Sequence, residues 1–99
     1  PIALTQLEQF HVKLAFVGTD GFTIEKGLTT HLIEGAEIVR KMAAQARETI
    51  LVADSGKYGK TGFVKVLPIN GVSRMITDTD LGSEQIERIQ ALGVTVQVA

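Results

Sequence analysis

A continuous apolar run at residues 50–53, which ends at Asp54, most constrains the fold of this chain. The run has no alternation of apolar and polar residues, which is typical of a strand buried on both faces, as in parallel sheets. It follows the strongest helical pattern of the sequence, residues 32–48, where apolar and small residues recur every three or four positions. A helix that leads directly into a buried strand favours an α/β fold.

Other segments continue this alternation of strands and helices. Apolar runs and alternating valines predict strands at residues 14–17, 49–54, 62–69, 73–78 and 94–99, and amphipathic stretches predict further helices at residues 2–12 and 83–93. We therefore expect a single α/β domain whose mostly parallel sheet is flanked by helices. Residues 19–27 are interpreted as a turn-rich connection. Thr29 or Thr30 is expected to cap the long helix, and Ser83 the last one.

Composition argues against several classes of protein. The 99 residues carry a formal net charge of −1 without a basic run, which disfavours nucleic-acid binding by this chain alone. There is no cysteine, so disulfides and thiolate metal sites are excluded and a cytoplasmic location is expected. No apolar run approaches the roughly 20 residues that span a bilayer, and no secretory leader is recognised. His11 and His31 lack metal-ligand spacing, so we predict no metal site and interpret both as structural or exposed.

An acid follows three of the predicted strands, namely Asp20, Asp54 and Asp78. Parallel strands would bring these acids to one edge of the sheet, where open α/β sheets bind ligands. Carboxylates there can accept hydrogen bonds from sugar hydroxyls, and Lys57 can hold a phosphate as a point charge. An Asp after a strand is also a common turn former, so a purely structural role for each acid stays open.

Other polar residues near these turns have a structural interpretation as the default. Thr29 and Thr30 precede the long helix, where helix capping is the first expectation and contact with an anion is the alternative. Lys60 and Glu37 are interpreted as solvated side chains, although Glu37 could point to the strand ends.

The chain resembles the C-terminal effector-sensing domain of the DeoR family of bacterial transcription regulators. The resemblance is carried by FVGTDGFTIEKGLTT, by EGAEIVRKMAAQARETILVADSGKYGK, and by ITDTDL together with IERIQALGVTVQVA, which follows it after four intervening residues. The resemblance covers nearly the whole chain. It implies a fold similar to that of ribose-5-phosphate isomerase, a phosphorylated sugar as ligand, no cofactor and no enzymatic activity. The ligand positions that it implies are Asp20, Gly21, Thr29, Thr30, Glu37, Asp54, Lys57 and Asp78.

The resemblance also implies that residues 1–99 are a fragment, an expectation that the start at Pro1 supports. Family members bind operator DNA through an N-terminal winged helix-turn-helix, and the ligand changes their affinity for DNA. That region and the first part of the sensing domain, which normally supplies a phosphate loop, are not in this sequence. Loss of neighbouring strands exposes a sheet edge or an apolar face, so we expect a homo-oligomer.

Two other functions stay open at this point. The same acids and Lys57 could transfer protons in a small sugar-phosphate isomerase. The chain could also be an oligomerisation module without a ligand. Because the chain is short for such an enzyme and has no evident phosphate loop, the sensor is the preferred interpretation.

Overall fold

The computed structural model describes Leu4, Gln6 and residues 11–99. Within these residues the strands are β1 (Val12–Val17), β2 (Gly21–Thr23), β3 (Gly27–Thr30), β4 (Ala46–Val52), β5 (Val64–Leu67), β6 (Arg74–Thr77) and β7 (Thr95–Val98). The longer helices of residues 11–99 are α1 (Ile33–Gln45) and α2 (Ser83–Ala91), and single 3-10 turns lie at Ser55–Lys57 and Ile69–Gly71. The helix predicted at residues 2–12 lies mostly outside the described residues; Leu4 and Gln6 are helical, whereas Val12, predicted as helical, begins β1. None of the described helices is long and apolar enough to cross a membrane.

The parallel sheet contains four strands in the order β1-β4-β6-β7. The strand that contains the unalternating run of residues 50–53 is β4, and it lies between β1 and β6 as its apolar character predicts. The predicted α/β fold with a parallel sheet and helices is therefore confirmed. The last strand, β7, lies at the edge of the sheet, in agreement with its alternating valines.

A second, antiparallel sheet has the strand order β2-β3-β5. The interpretation of residues 19–27 as a connection alone was wrong, because they contain β2 and the turn into β3. At that turn Gly27 has a φ of 75°, a conformation that favours glycine. The segment predicted as a strand at residues 62–69 contributes β5, which belongs to this second sheet and not to the parallel one.

The ends of the helices differ from the prediction. Helix α1 ends at Gln45, and residues 46–48, predicted as helical, begin β4 instead. Pairing of β4 with β1 overrides the helical pattern there, since Ala46 and Glu48 lie in register with residues of β1. The predicted side-chain caps are also absent from α1 and α2, whose N-cap residues are Leu32 and Gly82.

The core lies between the two sheets and the helices. Its largest fully buried side chains come from β2, β3, β4, β6 and α2, and are Phe22, Leu28, Leu51, Met75 and Ile89. Burial of each side chain of this size stabilises the fold by about 1.5–3 kcal/mol. Because every layer contributes to one cluster, the second sheet is packed against the parallel sheet as part of one unit.

One face of the parallel sheet carries apolar side chains that are partly exposed to solvent, although Ile50, in register with Phe16 on that face, is only 7% exposed. Exposure alternates along edge strand β1. Leu14 is 45% exposed and Phe16 is 58% exposed, whereas Ala15 and Val17, which point to the other face, are buried. Val52 of β4 follows the same alternation and is 48% exposed. The described helices contribute to the core cluster on the opposite face. Parallel sheets normally have both faces covered, so we call this surface, formed by Val12, Leu14, Phe16 and Val52, the open face.

A glycine at the start of β2 permits a close approach of two backbone segments, and this can be tested. A Cβ added at Gly21 would clash with the carbonyl oxygen of Lys60, whereas a Cβ added at Gly18 would meet no heavy atom within 4 Å. We expect Gly21→Ala to lower the free energy of unfolding by about 1–3 kcal/mol. Gly18→Ala should change it by less than about 0.5 kcal/mol. Urea denaturation checks this, and equal losses for both variants would contradict the close approach.

Candidate functional site

The three predicted acids follow neighbouring strands of the parallel sheet. Asp20 comes after β1, Asp54 after β4 and Asp78 after β6, and these strands are adjacent and parallel. Their carboxyl ends therefore lie along one edge, the position at which open α/β sheets hold ligands. We call these three residues the acidic rim.

Asp78 fastens the end of β6 to the end of β4. Its Oδ2 accepts a hydrogen bond from the backbone N–H of Ser55 at 3.0 Å, and its Oδ1 accepts one from the N–H of Asp80 at 2.9 Å. These bonds, with a further one from the Ser55 side chain, hold the pKa of Asp78 below its ordinary value of 3.8. Both oxygens of Asp78 are thus engaged by the protein, and they position the turn that carries Lys57.

Asp20 fixes the junction between β3 and α1. Its Oδ2 accepts hydrogen bonds from the Thr30 hydroxyl at 2.7 Å and from the backbone N–H of His31 at 3.1 Å. These two bonds are the main causes that lower the pKa of Asp20, followed by the charges of His31 and Lys57. Of these causes the charge of Lys57 is the smallest, so the Asp20 carboxylate is held chiefly by Thr30 and His31.

Asp54 differs from the other two acids because its carboxylate is exposed. In the described part of the chain no residue donates a hydrogen bond to that carboxylate. The Asp54 carbonyl oxygen accepts the N–H of Lys57 at 3.1 Å and closes the 3-10 turn Ser55–Lys57. This turn brings a cation and an open carboxylate next to each other, which suits a ligand that carries both a negative group and hydroxyls.

Gly21 and Thr29 lie beneath the rim, where they join the second sheet to the loop at residues 58–62. Thr29 is 1% exposed, and its hydroxyl donates to the carbonyl oxygen of Gly21 at 3.2 Å. The same hydroxyl accepts the N–H of Gly62 at 2.8 Å. The Thr29 side chain is thus engaged within the protein, so its contribution to the site is to hold Thr30 and the loop in place.

Glu37 is not brought to the rim. It lies in the second turn of α1 and lines a separate hollow of about 390 Å³ with Leu4, Arg40, Lys41 and Ala44. The structure therefore groups Asp20, Thr30, Asp54, Lys57 and Asp78, with Gly21 and Thr29 beneath them, and leaves Glu37 apart.

A hollow of about 200 Å³ opens beside Asp20. It is lined by Gly18, Thr19, Asp20, Thr30, Gly35, Val39 and Val66. A Cβ added at Gly35 would meet nothing nearer than the Cβ of Leu32 at 4.0 Å, so the glycine leaves space at this wall. Glycine costs about 1 kcal/mol relative to alanine inside a helix, so the space beside Gly35 is kept at a cost in helix stability.

A larger hollow, of about 380 Å³, lies away from the rim. It is lined by residues of the β2–β3 turn, by β5 and by the end of α2, among them Lys26, Lys65 and Leu92. Glu25, beside it, forms an ion pair with Arg88 at 3.2 Å, and both side chains are at least half exposed. Exposed ion pairs of this kind contribute little to the stability of the fold. None of the rim acids lines this hollow. The convergence of charged groups therefore favours the rim as the candidate site, although its hollow is smaller.

The sequence interpretation missed two residues beside the rim. His31 is exposed, in agreement with its interpretation as structural or exposed, but the sequence interpretation did not predict that its N–H binds Asp20 and that its ring packs edge-to-face on Phe63, with centroids 5.7 Å apart. Phe63 was predicted within a strand core but is 92% exposed. The position of His31 directly after Thr30 was the available signal, whereas nothing in the apolar pattern separated Phe63 from its buried neighbours. In the described part of the chain, no cluster of three or more His, Asp or Glu residues could hold a metal ion.

Comparison with known protein families identifies the kind of domain that carries this rim. Residues 1–79 match the model of the DeoR C terminal sensor domain. The chain belongs to this family. The resemblance inferred from the sequence is thus confirmed, and so is the expectation of a mixed α/β sensor domain.

Similar curated proteins are transcription regulators of the DeoR type. The chain is 34% identical over 97% of its length to the HTH-type transcriptional regulator GlpR of Haloferax volcanii. It is 31% identical over 97% of its length to the uncharacterized HTH-type transcriptional regulator YulB of Bacillus subtilis. It is 35% identical over 76% of its length to the HTH-type transcriptional repressor GlcR of the same organism. The chain spans only 38%, 37% and 29% of these three relatives.

These names bear on the alternative of an enzyme. A sensor-domain family and relatives named as regulators or repressors support a regulatory domain and not an isomerase. The prediction that the chain is not an enzyme is thereby confirmed. The same names do not test the predicted ligand residues.

The hydrogen bonds of the rim should make the stability of the fold depend on acid pH. The pKa values of Asp20 and Asp78 are lowered, so the stability they contribute is present above their ordinary value of 3.8 and is lost as the pH falls through their folded-state values. We expect Asp78→Asn to be less stable than the natural chain at neutral pH and to lose less stability below about pH 4. Urea denaturation across this range measures both effects.

The matched control for this variant is Asp80→Asn, since Asp80 is an exposed acid of the same turn. Asp80→Asn keeps the backbone N–H that binds Asp78, so it should retain the acid-dependent loss. An acid-dependent loss in Asp78→Asn as large as that of the natural chain would show that Asp78 does not stabilise the fold through its carboxylate.

Proposed function

We propose that this DeoR sensor domain binds a phosphorylated sugar at the acidic rim and acts as the effector-sensing part of a longer transcription regulator. The observation that carries the proposal is the placement of Asp20, Asp54 and Asp78 after adjacent parallel strands, with Lys57 in the turn whose Ser55 N–H is held by Asp78. The DNA-binding segment of such a regulator lies outside this chain. We further propose that the longer protein works in the cytoplasm, with DNA as its second partner.

The charges of the rim determine how such a ligand would lie. The rim has three carboxylates and one neighbouring ammonium, so a phosphate group would be repelled everywhere except beside Lys57. The hydroxyls of the sugar would then face Asp54 and the free oxygen of Asp20, which accept hydrogen bonds. The family resemblance implies that a phosphate loop from outside this chain completes the site, so we expect the chain alone to bind weakly.

Asp20 offers a route from ligand to structural change. Its carboxylate holds the Thr30 hydroxyl and the N–H of His31, directly before α1. A ligand that competes for this carboxylate would weaken the bonds that fix the start of the helix. Such a ligand shifts a regulator between two states only to the extent that it binds one state better than the other.

Lys57→Met tests the phosphate contact. Loss of a charge-assisted hydrogen bond costs about 1.5–3 kcal/mol, so affinity for ribose 5-phosphate or glucose 6-phosphate should fall at least about tenfold by calorimetry. The control is Lys13→Met, which removes an exposed lysine from the amino end of β1, at the opposite edge of the sheet. Equal affinity in the two variants would remove Lys57 from the site. No heat with either sugar phosphate in the natural chain would contradict the proposed ligand class.

We also propose that the isolated chain self-associates through its open face. Leu14, Phe16 and Val52 place partly exposed apolar side chains on one face of a sheet whose edge strand is β1. The same face carries exposed Glu48 on β4 and exposed Arg74 on β6, so two-fold packing of two copies can pair opposite charges around an apolar centre. A second copy of the chain therefore fits this surface in both apolar character and charge.

Phe16→Lys should convert the associating chain into a monomer, because a buried unpaired lysine would oppose packing of the two faces. The control is Val98→Lys, at a residue that is 45% exposed on the opposite edge strand, β7. Light scattering coupled to gel filtration gives the mass of each variant. A natural chain that stays monomeric at crystallisation concentrations, or a Val98→Lys variant that dissociates equally, would contradict association through the open face.

A further inference from the structure

Phe63 is a large apolar side chain with almost no cover. It is 92% exposed, more than any other large hydrophobic residue among those described, and its recorded ring contact is with His31. Single exposed apolar residues are ordinary on protein surfaces. What sets Phe63 apart is its place, because His31, which its ring contacts, donates its backbone N–H to Asp20 of the rim.

The backbone holds Phe63 at this place. On one side of it, the N–H of Gly62 binds the Thr29 hydroxyl, and a Cβ added at Gly62 would clash with the Thr30 carbonyl oxygen. On the other side, Val64 pairs with Thr30 in the register of β3 and β5. Since both neighbours of Phe63 are fixed against Thr29 and Thr30, the aromatic residue is fixed beside them.

The same two residues of β3 connect Phe63 to the rim. Thr30 donates its hydroxyl to Asp20, and the next residue, His31, donates its N–H to the same carboxylate oxygen. The His31 ring then packs against the ring of Phe63 at an angle of 69°. The acid, the imidazole and the phenyl ring thus form one connected series at the edge of the candidate site.

The fold does not require an aromatic residue at position 63. Val66 of β5 is buried in the core cluster, whereas Phe63 and Lys65 are exposed. An exposed phenyl ring gains no burial energy, so burial within the fold does not account for a phenylalanine at this position.

We propose that Phe63, oriented by His31, is an apolar wall of the rim site and selects effectors whose sugar is in ring form. This inference rests on the proposed function. A cyclic sugar presents a rigid C–H face that can lie against an aromatic ring while its hydroxyls reach the carboxylates. An open-chain polyol phosphate has the same kinds of polar groups but no preformed face, and it loses more conformational freedom on binding. Phe63 therefore discriminates between the two.

The test compares two matched pairs of probes, glucose 6-phosphate with glucitol 6-phosphate and ribose 5-phosphate with ribitol 5-phosphate. We expect the natural chain to prefer the cyclic member of at least one pair. Phe63→Ala should weaken binding of that cyclic member by about fivefold, the size of one aromatic contact, and change binding of the open-chain member less than about twofold. Phe63→Trp should retain the preference. Leu32→Ala, at a residue 65% exposed near the same rim, is the control and should change neither affinity.

Each other result overturns the inference in a recognisable way. If sugar phosphates bind the natural chain but Phe63→Ala weakens both members of a pair equally or not at all, Phe63 does not select the ring form. If Phe63→Ala changes the mass in solution and leaves affinities unchanged, the ring belongs to a contact between copies. If no probe binds the natural chain, the proposed function fails and this inference fails with it.

Discussion

The position of β4 between β1 and β6 is the constraint on which the rest of this structure depends. Parallel pairing of these strands gives all three the same direction, so the residues that follow them reach one edge. This arrangement brings Asp20, Asp54 and Asp78 to the same edge of the sheet. The three acids differ in their hydrogen bonds. Asp78 holds the turn at Ser55–Lys57, Asp20 holds the start of α1, and the Asp54 carboxylate stays open to solvent.

The second sheet supplies the groups that hold Asp20 in place. Its hairpin places Thr30 and His31 against Asp20, and the loop that returns to β5 is held to the hairpin through Thr29 and Gly62. Between these contacts the chain carries Lys57 to the acidic rim, where its charge lowers the pKa of Asp20. The candidate site thus lies at a junction between the two sheets.

Long or repeated patterns were sufficient to predict the α/β class, the central strand at residues 50–53 and the acids after three strands. They could not reveal β2, because a strand of three residues is too short for an alternating pattern to be recognised. Residues 46–48 have a helical pattern, but pairing with β1 decides their structure. The neighbours of His31 and Phe63 depend on the register of β3 and β5, which is a long-range property that no local pattern contains.

The most direct test of the account is to map a ligand onto the chain by its amide resonances. Ribose 5-phosphate and glucose 6-phosphate would each be added to the isotope-labelled chain, and shifts of the backbone N–H signals followed by NMR. A sensor that uses the acidic rim should show its largest shifts at Thr30, His31 and the turn Ser55–Lys57. Shifts that cluster instead around the hollow lined by Lys26, Lys65 and Leu92, with none at the rim, would contradict it.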